Sequence, residues 1–380
     1  SNSLVMSRSP VRIWEAAPIS YNFLELRFRV ECAKLTLDKL SLFNNREIRS
    51  QVMTTNAKLF FGYHFPMASY WENYQKGGFT QLSLDFSSRC NYNCDWCFNK
   101  HLLNKDEPDI LSLSERTKLM ESAVELGAKT LVVPGTGEPT LDPYFVETIE
   151  KAYHFGLITV VYTNLTGKVN PNLIKFMHGH NVSLGIKLDS FSSLHFKERY
   201  HTTERKLEEF RQNLHTALEV YGNSQQVIKN GTSYRLIANM VLTKENATEV
   251  EAITHFCGQN SLPLFVRPVK PVQWALANPT LWKKIGNKAG LQSPERELLE
   301  IAQKHNTLFS PSSTVENHCA IFSFGLTVKS NGDVQFCPDH HGSRGMFNIR
   351  TTSLREIMKK MNSQRKVESG YCVMLDGIKH

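Results

Sequence analysis

From about residue 80 to about 268 the chain alternates short β-rich runs with helical stretches, and no other feature restricts the fold as much. Strands are expected at 80–86 (TQLSLDF), 130–133, 157–162 (LITVVY), 182–188, 235–242 and 264–267. The segments between them carry helix signals. Ser112 with Glu115 three residues on has the spacing of a capping box, and Gly127 is placed to end that helix. Asp142-Pro143 reads as the N-cap and first residue of the next helix, which Gly156 closes; Glu204 to Val220 is a longer helical stretch. Strands that alternate with helices form a parallel sheet with helical crossovers. Most of the runs are continuously apolar, as in strands covered on both faces. Such a sheet is either open and doubly wound or curled into part of a β/α barrel, and in both cases ligands bind at the C-terminal strand ends. Cys90, Gly135 to Pro139, Thr163-Asn164, Lys187 and Asp189 fall there.

At 380 residues the chain exceeds one compact core. Four parts are expected: an N-terminal extension (1–79) that could recognise substrate, the strand–helix core (80–270), a helical connection (271–310) and a C-terminal domain (311–380). A helix is expected near Leu24 to Leu42 in the first. The last contains FGLTVKSNGDVQFC (324–337), whose Ser330-Asn331-Gly332-Asp333 is a turn signal for a β-hairpin. With 41% hydrophobic and 21% charged residues, the chain is neither mostly disordered nor fibrous. No run approaches the ~18 consecutive apolar residues of a membrane helix. The opening SNSLVMSRSP lacks the apolar stretch of a secretory signal, so a reducing cytoplasmic location is the expectation. Lys plus Arg exceed Asp plus Glu by 44 − 36 = 8, a mild basicity. Without a nucleic-acid-binding module it does not argue for RNA.

Of eight cysteines, three crowd into CNYNCDWC (90–97), a C-x3-C-x2-C directly after the first strand of the core. Cysteines this sparse are no disulfide scaffold. Three thiolates on one short loop suit three corners of an iron–sulfur cube, which leaves one iron open. A structural zinc site is the alternative, although zinc takes a fourth Cys or His.

On these residues the chain resembles the radical S-adenosylmethionine superfamily, whose signature CxxxCxΦC places an aromatic residue before the last cysteine, here Trp96. Gly135-Thr136-Gly137-Glu138-Pro139, after the second strand, is similar to the family's GGEP motif, with Thr136 for the usual second glycine. The resemblance spans roughly 80–268 and implies a partial (β/α)6 TIM-type barrel within an α/β fold. It implies a [4Fe–4S] cluster on Cys90, Cys94 and Cys97, whose open iron chelates S-adenosylmethionine. Glu138 and the neighbouring backbone would hold the cofactor's amino group. Thr163, Asn164, Lys187 and Asp189 occupy places that contact its ribose or methionine carboxylate. An external one-electron reductant such as flavodoxin or ferredoxin would reduce the cluster. Cleavage of the sulfonium would then give a 5′-deoxyadenosyl radical that abstracts hydrogen from a C–H bond.

A second set, Cys319, Cys337 and Cys372, resembles the SPASM and twitch auxiliary-cluster domains: Cys319-x12-Gly332-x4-Cys337 matches their opening. The further C-x2-C-x5-C-x3-C run of SPASM is absent, so one auxiliary [4Fe–4S] cluster is expected. Its fourth ligand is left open among Asp339, His340, His341, Cys32 and Cys257; buried structural thiols are the alternative. Residues 195–216, with three histidines, read as solvated helices. The expected reaction is oxidation or epimerisation of a small polar metabolite of sugar, aminocyclitol or nucleoside type, with Cys257 a candidate hydrogen donor. A maturase of ribosomally made peptides is the second reading, and a non-catalytic iron–sulfur or zinc scaffold or sensor the third.

Overall fold

The computed structural model describes residues 57–268, apart from 64, 66, 98, 101–102, 105–108, 223, 229–230 and 244, together with 314–315, 318–319, 324–336 and 347–364. These residues belong to one compact unit, 53–380. In chain order they form β1 (Ala57–Phe60), α1 (Met67–Gln75), β2 (Gln81–Leu84), α2 (Leu113–Glu125), β3 (Thr130–Val133), α3 (Phe145–His154) and β4 (Ile158–Thr163). Then come α4 (Pro171–Gly179), β5 (Val182–Lys187), α5 (Ser193–Tyr200), α6 (Glu204–Tyr221), β6 (Gln226–Ile228), β7 (Gly231–Tyr234) and β8 (Leu236–Leu242). The last are α7 (Val250–Gln259), β9 (Leu264–Pro268), β10 (Thr314–Val315), β11 (His318–Cys319), β12 (Gly325–Val328), β13 (Asp333–Gln335), β14 (Phe347–Asn348) and α8 (Leu354–Gln364). The helices expected near Leu24 to Leu42 and across 271–310 lie outside the described residues.

The six strands expected from the sequence lie side by side and parallel, in the order β2-β3-β4-β5-β8-β9. The fold is α/β with an unclosed sheet of partial-barrel type. A seventh parallel strand, β12, comes from the C-terminal hairpin and pairs with β2. β13 and β14 continue the sheet in antiparallel sense. The hairpin turns where expected: Gly332 adopts φ +88°, and its N–H donates to the Lys329 carbonyl.

Alternate strand residues divide the sheet into two faces. Leu82, Leu84, Leu131, Val133, Leu184, Ile186, Ala238 and Met240 point to the helical side and join one core with Leu119 and Met120 of α2, Ile149 of α3, Ile174 of α4, Leu214 of α6 and Met358 of α8. Val132, Val160, Ile237 and Phe265 point the other way. They form a second cluster with Phe60 and Tyr63, so the sheet curls around the turn that follows β1. That turn is wedged at the N-terminal strand ends. Thr130 Oγ1 donates to the Gly62 carbonyl at 2.7 Å, and a Cβ on Gly62 (φ +97°) would stand 2.7 Å from Val160 Cγ2. Tyr70 OH, donating to the Tyr63 carbonyl, holds the turn in place.

Ser112 caps α2 through the expected capping box, and Glu115 also pairs with Arg350 at 2.6 Å, tying the segment after β14 to α2. The hydrogen bond from Arg350 brings the Glu115 carboxyl down to about 2. The next helix departs from expectation. α3 starts at Phe145, two residues beyond Pro143, after a single 3₁₀ turn. Asp142 still accepts the Tyr144 N–H on Oδ1 at 2.8 Å, as a capping side chain does, and its carboxylate also receives both terminal nitrogens of Arg116, at 2.9 and 2.8 Å, with both side chains fully buried. Arg116 also donates to the carbonyls of Leu111 and Phe86. No described helix is long and apolar enough to cross a membrane.

Removing one partner of a buried ion pair strands the other in a dry site. Asp142→Ala is therefore expected to lower unfolding free energy by about 3–5 kcal/mol, read as an earlier urea midpoint. An unchanged midpoint would show that Arg116 is not confined by this pair.

Candidate active site

The three clustered cysteines lie on the loop that leaves the C-terminal end of β2. Backbone bonds shape that loop: Cys97 N–H donates to the Cys94 carbonyl and Lys100 N–H to the Cys97 carbonyl. Cys90 N–H donates to Asn104 Oδ1 at 2.9 Å, and Asn104 adopts φ +53°, a conformation that asparagine tolerates. The end of α5 supports the middle of the loop, since Asn93 and Asp95 donate to the carbonyls of Tyr200 and Arg199. Tyr92 stacks on Tyr200 with ring centroids 4.9 Å apart, and Trp96 packs against the same ring at 5.8 Å. None of the three cysteines is in a disulfide.

Burial governs the chemistry of these thiols. It pushes Cys90 up to about 12, with Glu138 and Cys97 adding to the effect. Burial also raises Cys94 and Cys97, and Lys187 opposes the shift at all three. Such thiols stay protonated until a metal centre displaces the proton. Among the described residues no three Cys, His, Asp or Glu side chains converge on one metal ion. Three cysteines on one loop match the one thiolate per iron that three irons of a cluster take, whereas a structural zinc takes a fourth Cys or His, so the donor set suits an iron–sulfur cluster.

The Gly135 to Pro139 loop follows β3 and is pinned to the cysteine loop: Glu138 N–H donates to the Arg89 carbonyl at 2.8 Å. Gly137 allows that approach, because a Cβ there would stand 2.2 Å from the Arg89 oxygen. Gly135 adopts φ +79°, which a side chain would strain. Thr136 is buried. The Glu138 carboxylate is also buried and accepts from Thr140 Oγ1 (2.7 Å), Thr140 N (3.3 Å), Thr163 Oγ1 (2.8 Å) and Asn164 N (2.8 Å). Asn164 Nδ2 donates to Asn91 Oδ1 and Asn91 Nδ2 to Thr166 Oγ1. Thr163, Asn164 and Glu138 thus bind three loops into one unit, a task the sequence did not reveal.

Lys187 closes β5 with its Nζ 2.6 Å from Asp189 Oδ2. The ammonium lies over Trp96 at 5.2 Å and Tyr200 at 5.4 Å. Burial works against its charge, but the Asp189 carboxylate outweighs it and holds the Lys187 pKa above its ordinary value. Asp189 accepts in addition from Tyr200 OH (2.7 Å) and Val241 N (2.5 Å). Cys90, Cys94, Cys97, Trp96, Gly135 to Pro139, Thr163, Asn164, Lys187 and Asp189 therefore meet at one end of the sheet.

Other expectations fare differently. The 195–216 stretch is not simply solvated: Phe196, Arg199 and Tyr200 are buried, and α5 forms one wall of the site. Its surface character gave no sign of this. Cys257 lies on α7, in the helical core, where Leu262 donates to its carbonyl just before β9 begins. That is the N-terminal end of the sheet, opposite the cysteine loop, and burial pushes the thiol up to about 12. The hydrogen-donor role expected for Cys257 is withdrawn on this placement. Cys319 is the second residue of β11, whereas Cys337, Cys372, Cys32 and 339–341 lie outside the described residues.

Fold and site together define a partial β/α barrel with a three-thiol cluster loop and a glycine cradle at its open end. The family model described as Radical SAM superfamily matches residues 84–257, so this stretch of the chain carries that superfamily's domain. The S-adenosylmethionine-dependent nucleotide dehydratase of Flammeovirga pacifica is 27% identical over 229 residues, which is 57% of this chain and 69% of that protein. The GTP 3′,8-cyclase of Psychromonas ingrahamii is 34% identical over 89 residues, 23% of this chain and 26% of the cyclase. Among solved structures, Streptococcus suis SuiB bound to S-adenosylmethionine aligns with TM-score 0.60 at 15% identity, covering 82% of this chain and 78% of SuiB. That likeness is one of fold.

Gly137→Ala forces apart the two loops that it joins. Iron bound per chain after anaerobic reconstitution is expected to fall by more than half with the melting temperature little changed. Gly179→Ala, where nothing stands within 4 Å of the new Cβ, is the control and loses none. Wild-type iron in Gly137→Ala would show that the two loops need not touch.

Proposed function

We propose that this radical S-adenosylmethionine enzyme acts on a small polar metabolite. The observation that carries the reading is the meeting of three thiols, a glycine cradle and a partly buried lysine at one end of a curled sheet whose other end is stopped by Phe60 and Tyr63. A cup closed at one end suits a small molecule. The nucleotide substrate named for the Flammeovirga dehydratase supports the same class.

Cys90, Cys94 and Cys97 would hold the [4Fe–4S] cluster, with the backbone of Gly135 to Pro139 cradling the methionine end of S-adenosylmethionine. Cluster and S-adenosylmethionine together supply hydrogen abstraction from an unactivated C–H bond. The protein's share is placement. Lys187, held in orientation by Asp189, offers a cation for the cofactor carboxylate. Tyr92 and Trp96 pack on Tyr200 and so tie the cysteine loop to α5. Asp189 in turn is fixed by Tyr200 and by the backbone of β8, so the cation cannot swing without breaking a buried network. The electron would come from a flavodoxin- or ferredoxin-type donor.

One auxiliary cluster on Cys319, Cys337 and Cys372 belongs to the same reading, which assigns an oxidative outcome. The hairpin of β12 and β13 supports it, because Cys337 follows that hairpin by two residues. The second reading, a peptide maturase, draws on the likeness of fold to SuiB, which was solved with its precursor peptide SuiA.

Reduced, reconstituted protein is expected to convert S-adenosylmethionine to 5′-deoxyadenosine well above a no-reductant control, and Cys94→Ala to abolish this. No product from the cluster-loaded wild type would favour the scaffold or sensor reading. In a Cys90/Cys94/Cys97→Ala triple variant, about four irons per chain should remain. Near zero in a folded variant would remove the auxiliary cluster and the oxidative assignment.

A further inference from the structure

The end of the molecule opposite the cysteine loop holds a cleft of its own. Gly77 follows α1 on the way into β2, and Leu126 follows α2 on the way into β3, so both stand at the N-terminal strand ends. Between them and α8 lies an open cleft of about 430 Å³. Ordinary small-molecule sites occupy roughly 300–1,000 Å³, so it has room for more than a bare ion. Gly77 lines it, and a Cβ on that residue would meet nothing within 4 Å.

One face of α8 forms a wall. Arg355, Lys359 and Asn362 line the cleft, and their spacing of four and three residues sets them in a row along the helix. Leu354, Ile357, Met358 and Met361 take the core-facing side. Lys76, from the end of α1, adds a third cation to the lining, and no Asp or Glu among the described residues lines it. The rest of α8 is balanced differently. Glu356 and Lys360, each one position on, pair at 2.8 Å with the i,i+4 spacing. Arg355 and Lys359 have that same spacing with like charge, an arrangement that disfavours a helix. Both are exposed, and neither has an ion pair or hydrogen bond among the described residues. Lys76, by contrast, is answered by Glu72 at 2.6 Å. A lone surface cation needs no partner. Two on successive turns of one wall, with no carboxylate in the lining, concentrate positive field inside a concave surface.

The remaining lining suits an organic ligand. Neither polar atom of the Asn362 amide has a hydrogen-bond partner and both are turned in from solvent, so rotating the amide toward the cleft breaks no bond. Tyr74 and Leu126 contribute ring and aliphatic surface. Trp71, at 5.8 Å, and Phe324, at 6.2 Å, fix the Tyr74 ring by edge contacts. Two uncommitted cations match the charge of nearly −2 that a phosphate monoester carries near neutral pH, where a single carboxylate would leave one unanswered. The planar fork of Arg355 suits two phosphate oxygens, and Lys359 supplies a point charge beside it.

We propose that the cleft between α8 and the ends of α1 and α2 binds a phosphorylated small molecule, with Arg355 and Lys359 holding its phosphate. The cleft is at the strand ends remote from the thiols, Lys187 and the glycine cradle, so it is a second site and not a part of the active one. It is independent of the substrate assigned to the active end.

The test uses the full chain, anaerobically reconstituted, with isothermal titration of three separate probes at low salt: AMP, inorganic pyrophosphate and adenosine. At least one phosphate probe is expected to bind the wild type, and adenosine to bind about tenfold more weakly than AMP or not at all. An Arg355→Gln/Lys359→Gln double variant should weaken the bound phosphate probe about tenfold or more. Lys360→Gln, on the paired side of α8, should leave it as in the wild type. Because Arg355 and Lys359 are exposed and unpaired, the double variant should keep the wild-type melting temperature, iron per chain and 5′-deoxyadenosine formation. Failure of both phosphate probes to bind the wild type would overturn the inference. So would a double variant that binds the probe as tightly as the wild type, which would place it elsewhere, or adenosine bound as tightly as AMP. Absence of 5′-deoxyadenosine from the wild type would be the failure of the enzyme reading alone.

Discussion

The Glu138 carboxylate is the point on which the active end of this molecule depends. It is buried, with no cation among its hydrogen-bond partners, and is held by four donors from Thr140, Thr163 and Asn164. Burial alone would raise its pKa, and those donors oppose the rise. Through its own N–H the same residue reaches the Arg89 carbonyl, one residue before Cys90. The loops after β2, β3 and β4 thus share one node. A network of this kind fixes geometry well because no member can leave without orphaning another buried group.

The outer face completes that frame by a different means. Arg116 reaches through the helical layer to the Phe86 carbonyl, on the chain segment leading into the cysteine loop, while Asp142 neutralises it. The helical side of the sheet therefore fixes where the loop begins, and the inner side fixes where its thiols point. Charge follows the same division. On the inner side Lys187 stands against three thiols that burial keeps protonated, and its stacking on Trp96 and Tyr200 holds a cation in a place that would otherwise reject one.

The strands and helices of the barrel were legible in the sequence because buried parallel strands are continuous apolar runs, and because caps such as Ser112 and glycines such as Gly127 mark helix ends chemically. The cysteine loop and the glycine cradle were legible for a related reason: each compresses its chemistry into eight residues or fewer. Partnerships between distant residues were not. Asp142 looked like a helix cap, and nothing local to it announces Arg116, 26 residues earlier. Arg199 and Tyr200 sit in a run of charged residues whose surface character hides the buried stripe beside Trp96. Cys257 drew notice as an isolated thiol, yet its place at the N-terminal strand ends follows from α7 running back antiparallel to β8 and β9 and not from its neighbours in sequence. The register of Ser83 with Thr327 spans 244 positions and has no local signature.

The turn carrying Phe60 and Tyr63 comes from outside the strand–helix repeat, yet it sets how deep the barrel is. Its two rings stack 5.7 Å apart at the N-terminal ends of the strands, and Gly62 lets the backbone press against Val160 and Ile158. The floor is thus a separately encoded gauge. Larger or smaller side chains at two positions would raise or lower it while every strand register stayed as it is. Capacity for a longer or shorter guest can drift in evolution without touching the metal loop or the cradle.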